Sequence, residues 1–132
     1  MFMRTLLSLW LVAVVSSARL APQDPAPAPG GVLYTEAQAA RGETLFKEIC
    51  VECHARKELS NPDFRVKWNG RSVFDLFDRL RNSMPERNPG GLERSQYLDV
   101  TAFIAKLNGF APGTAEMADD EPALRKQMLV LK

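Results

Sequence analysis

The chain has 132 residues, 45% hydrophobic and 25% charged, which is enough for one domain. Its 17 basic and 16 acidic side chains leave a formal net charge of +1, so neither a nucleic acid nor an anionic membrane surface is suggested as a partner. It has two cysteines and one histidine in all. Those three residues aside, no nucleophile–base pair can be built, and paired carboxylates are not evident, so the chain is not expected to be an enzyme by itself.

The first eighteen residues read as a secretory signal. Met1 to Arg4 supplies one positive charge, Leu6 to Val15 is an apolar run broken by Ser8, and Ser16-Ser17-Ala18 offers the small residues a signal peptidase reads. Cleavage is expected after Ala18, with Ala21 as the second candidate. The alternative is an uncleaved anchor, for which the apolar run is short. A cleaved signal leaves no membrane span and places the protein in the periplasm. Residues 1–18 carry Arg4 and no acid, so the remainder has 16 basic and 16 acidic side chains. The acids Glu116, Asp119, Asp120 and Glu121 are read as a solvated face.

Residues 19–33, with Pro22, Pro25, Pro27, Pro29 and Gly30-Gly31, form an Ala/Pro-rich linker. Thr35 and Gln38 then make a capping box, predicting a helix from Glu36 towards Cys50. Leu45, Phe46 and Ile49 share one face of it, and Gly42 lies one turn earlier on the same side. A helical glycine costs about 1 kcal/mol against alanine, and close approach of a second helix would offset that. Residues 55 to 71 are a long connection with few core candidates. Ser72 and Asp75 start a second helix with the stripe Val73, Leu76, Phe77 and Leu80. It must stop by Ser83, because Pro85 holds Met84 extended. Ser95 is the expected cap of a third helix burying Tyr97, Val100, Phe103, Ile104 and Leu107, with Asn108-Gly109 as its stop. Pro122 opens a short last helix through Leu124 and Met128. No run alternates as a strand would, so the fold class is all-α, with three to five helices. The folded domain is expected over 34–112, followed by an extension over 113–132. So little helix buries limited apolar surface, and a covalent staple or a buried prosthetic group is expected to complete the core.

Both cysteines and the histidine fall in Cys50-Val51-Glu52-Cys53-His54. C-x-x-C-H is the attachment signature of c-type haem. At helical spacing the three side chains project from one face, so two thiols can add to the vinyl groups on one haem edge while His54 is held over the iron. A disulfide between Cys50 and Cys53 would close a tiny loop and leave His54 unexplained. Zinc lacks a fourth ligand, and a thioredoxin-like reading lacks its strands. Without a second histidine, a methionine is the natural sixth ligand. Met84, fixed in extended geometry by Pro85, is preferred to Met117 and Met128. The plain alternative is a gap-filling core methionine. The backbone carbonyl of Pro62 is the candidate acceptor for the other ring nitrogen of His54. Trp68, Asn69 and Arg71 are candidates to meet a haem propionate; simple core packing is the alternative for Trp68.

With Gly42 and Phe46 ahead of Cys50, Phe103 in the last long helix and Met84-Pro85 between, the chain resembles the class I monohaem cytochrome c family over about residues 34–112. That resemblance implies a small helical fold around one covalent haem c with an exposed edge. It also implies a one-electron carrier that meets its redox partners as a monomer or in transient complexes. The segment from Asn108-Gly109-Phe110 through Glu121-Pro122-Ala123-Leu124 resembles the tail of bacterial cytochromes found beside quinoprotein dehydrogenases. On this reading the donor is a periplasmic dehydrogenase, a quinoprotein being the suggestion, and the acceptor an oxidase or another cytochrome. The alternatives are an open-site haem sensor or peroxidase-like protein, a thiol–disulfide protein without haem, and a dedicated subunit of a dehydrogenase complex.

Overall fold

The computed structural model describes residues 32–131, and over these the chain forms five α-helices and no strand. The expected signal over 1–18, and residues 19–31 of the expected linker, lie outside the described residues.

Helix α1, Glu36–Ile49, is capped by Thr35, whose hydroxyl accepts the Gln38 N–H at 3.0 Å. Gln38 does not return the bond as a capping box would. Its side chain is buried against a distant segment, donating to the Met117 carbonyl at 3.1 Å and accepting the Met117 N–H at 2.7 Å. The stretch read as a long connection holds a 3-10 turn, Arg56–Leu59, and then helix α2, Pro62–Trp68. Asn61 caps α2 by accepting the Phe64 N–H at 2.8 Å. Pro62 sits in its first turn, where a missing N–H costs nothing.

Helix α3, Val73–Ser83, starts with the reciprocal Ser72–Asp75 box and ends at an extended Met84, as the sequence predicts. Helix α4 is Arg94–Leu107. Its cap is Glu93 and not Ser95, because Gln96 Oε1 accepts the Glu93 N–H at 2.9 Å. Gly109 follows Asn108 at φ 82°, a left-handed stop suited to glycine. Helix α5, Glu121–Lys126, is capped by Asp120, with Pro122 in its first turn.

The core is organised by the crossing of α1 and α4. Residues 97–105 of α4 are all buried, so this helix is covered on every side and forms the centre of the domain. At the crossing, a Cβ built on Gly42 would overlap the carbonyl of Asp99 and lie 2.9 Å from Cβ of Phe103. The close approach expected from the sequence is therefore made by Gly42. One turn on, Phe46 stacks on Phe103 with ring centroids 5.5 Å apart. On the other flank, Arg41 grips the buried Asp99 carboxylate through two nitrogens at 2.9 and 3.0 Å.

Residues after 112 contribute to this same core rather than trailing from it. Met117, Leu124 and Leu129 are each no more than 2% exposed and pack in one cluster with Phe77 and Tyr97. Residues 127–129 run antiparallel to 70–73: Val73 N–H donates to the Gln127 carbonyl (2.8 Å), Leu129 N–H to Arg71 (2.9 Å) and Gly70 N–H to Leu129 (2.8 Å). The acidic cluster is exposed as expected, yet each member is engaged. Glu116 pairs with Arg41 at 2.9 Å, Asp119 clasps Arg94, Asp120 caps α5, and Glu121 meets Arg125 at 2.8 Å.

The crossing can be tested directly. Gly42→Ala places a methyl group against backbone that cannot turn aside, and should lower stability by about 2–3 kcal/mol. Chemical denaturation checks this; a midpoint equal to wild type would mean that the helices do not meet at Gly42.

Candidate functional site

The end of α1 delivers the pentapeptide. Phe46 and Ile49 are its last inward residues, and the chain then tightens into a 3-10 turn over Cys50–Glu52. Cys53 N–H and His54 N–H both donate to the Cys50 carbonyl, at 3.2 and 2.9 Å. That doubly accepted carbonyl curls the segment so that Cys50, Cys53 and His54 line one cavity, as their spacing predicts. The two thiols are not bonded to each other. Burial pushes the Cys50 thiol above its ordinary pKa, keeping it neutral.

The cavity has a volume of about 400 Å³ and chiefly apolar walls, a size ordinary for a ligand cleft. Phe64 and Trp68 come from α2, Leu76 and Leu80 from α3, Val100 and Ile104 from α4. Phe64 and Trp68 lean together with centroids 6.1 Å apart. Met84 lines the same cavity, in extended backbone just past α3. Its N–H donates to the Leu80 carbonyl at 2.8 Å, and its carbonyl accepts the Tyr97 hydroxyl at 2.7 Å. The structure thus brings Cys50, Cys53, His54, Trp68 and Met84 to one place.

Other candidates stand elsewhere. Pro62 is exposed in the first turn of α2 and does not line the cavity, because Asn61 turns the segment into a helix instead of a loop. The partner found for His54 Nδ1 is the Glu58 carboxylate, 3.3 Å away across one turn. Asn69 caps the end of α2, and its side-chain oxygen accepts the Leu131 N–H at 2.9 Å. Arg71 lies over the Trp68 ring, its guanidinium carbon 5.5 Å from the centroid, outside the cavity lining. The cations that do line the cavity are Lys67 and Arg79. Sequence reasoning passed over both, along with Glu58 and the polar role of Tyr97. A tyrosine on a buried helix face was the available signal, since its hydroxyl needs a partner there.

The residues present fit a covalently held haem. Apolar walls suit the ring, two unbridged thiols stand beside an imidazole, a thioether shares the cavity, and Lys67 and Arg79 could meet carboxylates. Among the described residues, no group of three or more His, Cys, Asp and Glu side chains is gathered so as to hold a metal ion directly. No described helix is long and apolar enough to cross a membrane.

One wall of the cavity depends on the start of α3, where the Asp75 carboxylate accepts the Ser72 hydroxyl at 2.8 Å and the Ser72 N–H at 3.0 Å. The hydroxyl bond first, then the backbone bond and the nearby Arg125 and Arg71, hold the Asp75 carboxyl below its ordinary pKa. A depressed carboxyl contributes stability that is present above the unfolded value, about 3.9, and is lost as pH falls through the folded value. Asp75→Asn should therefore flatten the acid limb of the stability profile below about pH 4. Denaturant titrations across that range check it, and an unchanged limb would show that Asp75 is not the group responsible.

Residues 37–104 match the family model described as cytochrome c oxidase, cbb3-type, subunit III. No curated protein and no solved structure matches the chain.

Proposed function

Starting from a chain that belongs to this c-type cytochrome family, we propose that it works as a periplasmic one-electron carrier with one covalent haem c. The family itself points to electron transfer by a haem protein. The observation that carries the finer reading is the single apolar cavity on which Cys50, Cys53, His54 and Met84 converge.

Bound haem would supply an iron centre that gains and loses one electron. Cys50 and Cys53 would anchor it through thioethers, and His54 and Met84 would hold the iron. The half-buried Cys50 and the exposed Cys53 both line the cavity where that addition would take place. Glu58 would take the hydrogen bond of the other His54 ring nitrogen, fixing the ring's tautomer and orientation. Leu59, Phe64, Trp68, Leu76, Val100 and Ile104 would exclude water from the ring. With His54 and Met84 both holding the iron, the chain itself would leave no open position for a substrate. This favours a carrier over a catalyst. Export, read from residues 1–18, supports the periplasmic placement, and the tail's resemblance supports a periplasmic dehydrogenase, quinoprotein in type, as donor to an oxidase or another cytochrome.

A second reading, a dedicated subunit of a larger redox complex, draws on the matched family's description as an oxidase subunit. Co-purification at native expression separates it from the free carrier.

The purified protein should give a c-type pyridine haemochrome spectrum and keep its colour after acid–acetone extraction. Carbon monoxide should bind the reduced form slowly or not at all at neutral pH. Met84→Ala should abolish the sulfur-to-iron charge-transfer band of the oxidised protein and make carbon monoxide binding rapid. Extractable colour would remove covalent haem, and a band surviving in Met84→Ala would remove Met84 as ligand.

A further inference from the structure

We propose that the buried hydroxyl of Tyr97 holds Met84 in place and sets how easily an outside ligand displaces it. This inference rests on the reading of Met84 as an axial ligand. Tyr97 is 2% exposed on the central helix. Its hydroxyl donates to the Met84 carbonyl at 2.7 Å and itself accepts the Leu92 N–H at 3.4 Å. One hydroxyl thus touches both ends of the segment 84–92.

Between those ends the segment has little else to hold it. Residues 86–91 are all exposed. Its own backbone bonds, Asn88 N–H to the Pro85 carbonyl at 2.8 Å and Gly91 N–H to Asn88 at 3.0 Å, are internal turns. Ser83 Oγ donates back into α3, to the Arg79 carbonyl at 2.6 Å, rather than forward to the segment. The Met84 N–H closes the last turn of α3 and fixes where the residue begins. Its carbonyl, and with it the direction of the peptide that carries the thioether, is fixed by Tyr97. A thioether is a neutral, weak donor, so small freedom in its backbone is enough for a better ligand to compete. Tyr97 is therefore a positioning residue that acts through Met84.

The test is imidazole affinity of the oxidised holoprotein, read from loss of the sulfur-to-iron band. Tyr97→Phe keeps the ring and its volume and removes only the hydroxyl. It should keep the band but bind imidazole about tenfold tighter, the fold-change expected from one net hydrogen bond. Tyr34→Phe is the control. Tyr34 is a second fully buried tyrosine, its hydroxyl bonded to the Phe110 carbonyl and its ring outside the cavity lining. It should lose a similar amount of global stability and leave imidazole affinity unchanged.

An unchanged affinity in Tyr97→Phe, or an equal increase in both variants, overturns the inference while leaving Met84 as ligand. A band surviving in Met84→Ala overturns the ligand assignment itself, and this inference with it. Should Tyr97→Phe not accumulate as holoprotein, amide exchange on wild type decides. Saturating imidazole should speed exchange at 86–92 and leave 100–105 protected; equal protection with and without imidazole overturns the proposal.

Discussion

The close crossing of two helices at Gly42 is the constraint on which the rest of the molecule depends. Only a residue without a side chain lets α1 settle onto the Asp99 carbonyl. Because the contact is made backbone to side chain-free backbone, the turn that follows α1 is carried to a fixed depth beside α4. The same nine buried residues of α4 then serve two neighbours. Asp99 and Phe103 meet α1, and Tyr97, Val100 and Ile104 face the cavity. Helix packing therefore sets the depth at which the cysteines stand, and the pentapeptide's own 3-10 curl turns them to the cavity.

The polar groups around that crossing act mostly on register. Arg41 reaches the buried Asp99 in a two-nitrogen grip and touches Glu116 with the same guanidinium. Its side chain is about half exposed, so solvent screens much of the attraction and its contribution to stability is small. What the pair does is penalise sliding: moving α1 by one turn would leave Asp99 buried without its partner. Gln38 does the same for the later segment, since both polar ends of its side chain are matched to the backbone of one residue, Met117.

The sequence is legible where a feature is local. Gly42 among Leu45, Phe46 and Ile49, the Ser72–Asp75 box and the Met84-Pro85 stop each act within a turn or two, and each appears as read. Asn61-Pro62 was equally local and was passed over, because Pro62 was weighed for its carbonyl and not for its fitness at a helix start. Features that join distant segments left no periodic trace. Gln38 fits a capping box on paper, and only the arrival of Met117 draws its side chain away. Asn69 and Arg71 look available for an anion until the last residues of the chain pack beside them and Trp68 takes Arg71 onto its ring. Tyr97 was correctly placed on the buried face, but hydrophobic patterning says nothing about where a phenol hydroxyl points.

The pairing of residues 127–129 with 70–73 ties the later segment to one flank of the cavity. These contacts join segments about as far apart in sequence as Gly42 and Asp99, so the two closures carry a similar entropic cost. Until they form, the peptide between α2 and α3 lacks the bonds that Val73, Arg71 and Gly70 make to the tail. Trp68, one residue away, is then a wall without a buttress. A chain lacking this pairing alone would keep its central crossing and present its cysteines with one flank of the cavity unsupported. Residues 127–129 thus brace a wall of the cavity from behind, although none of them lines it.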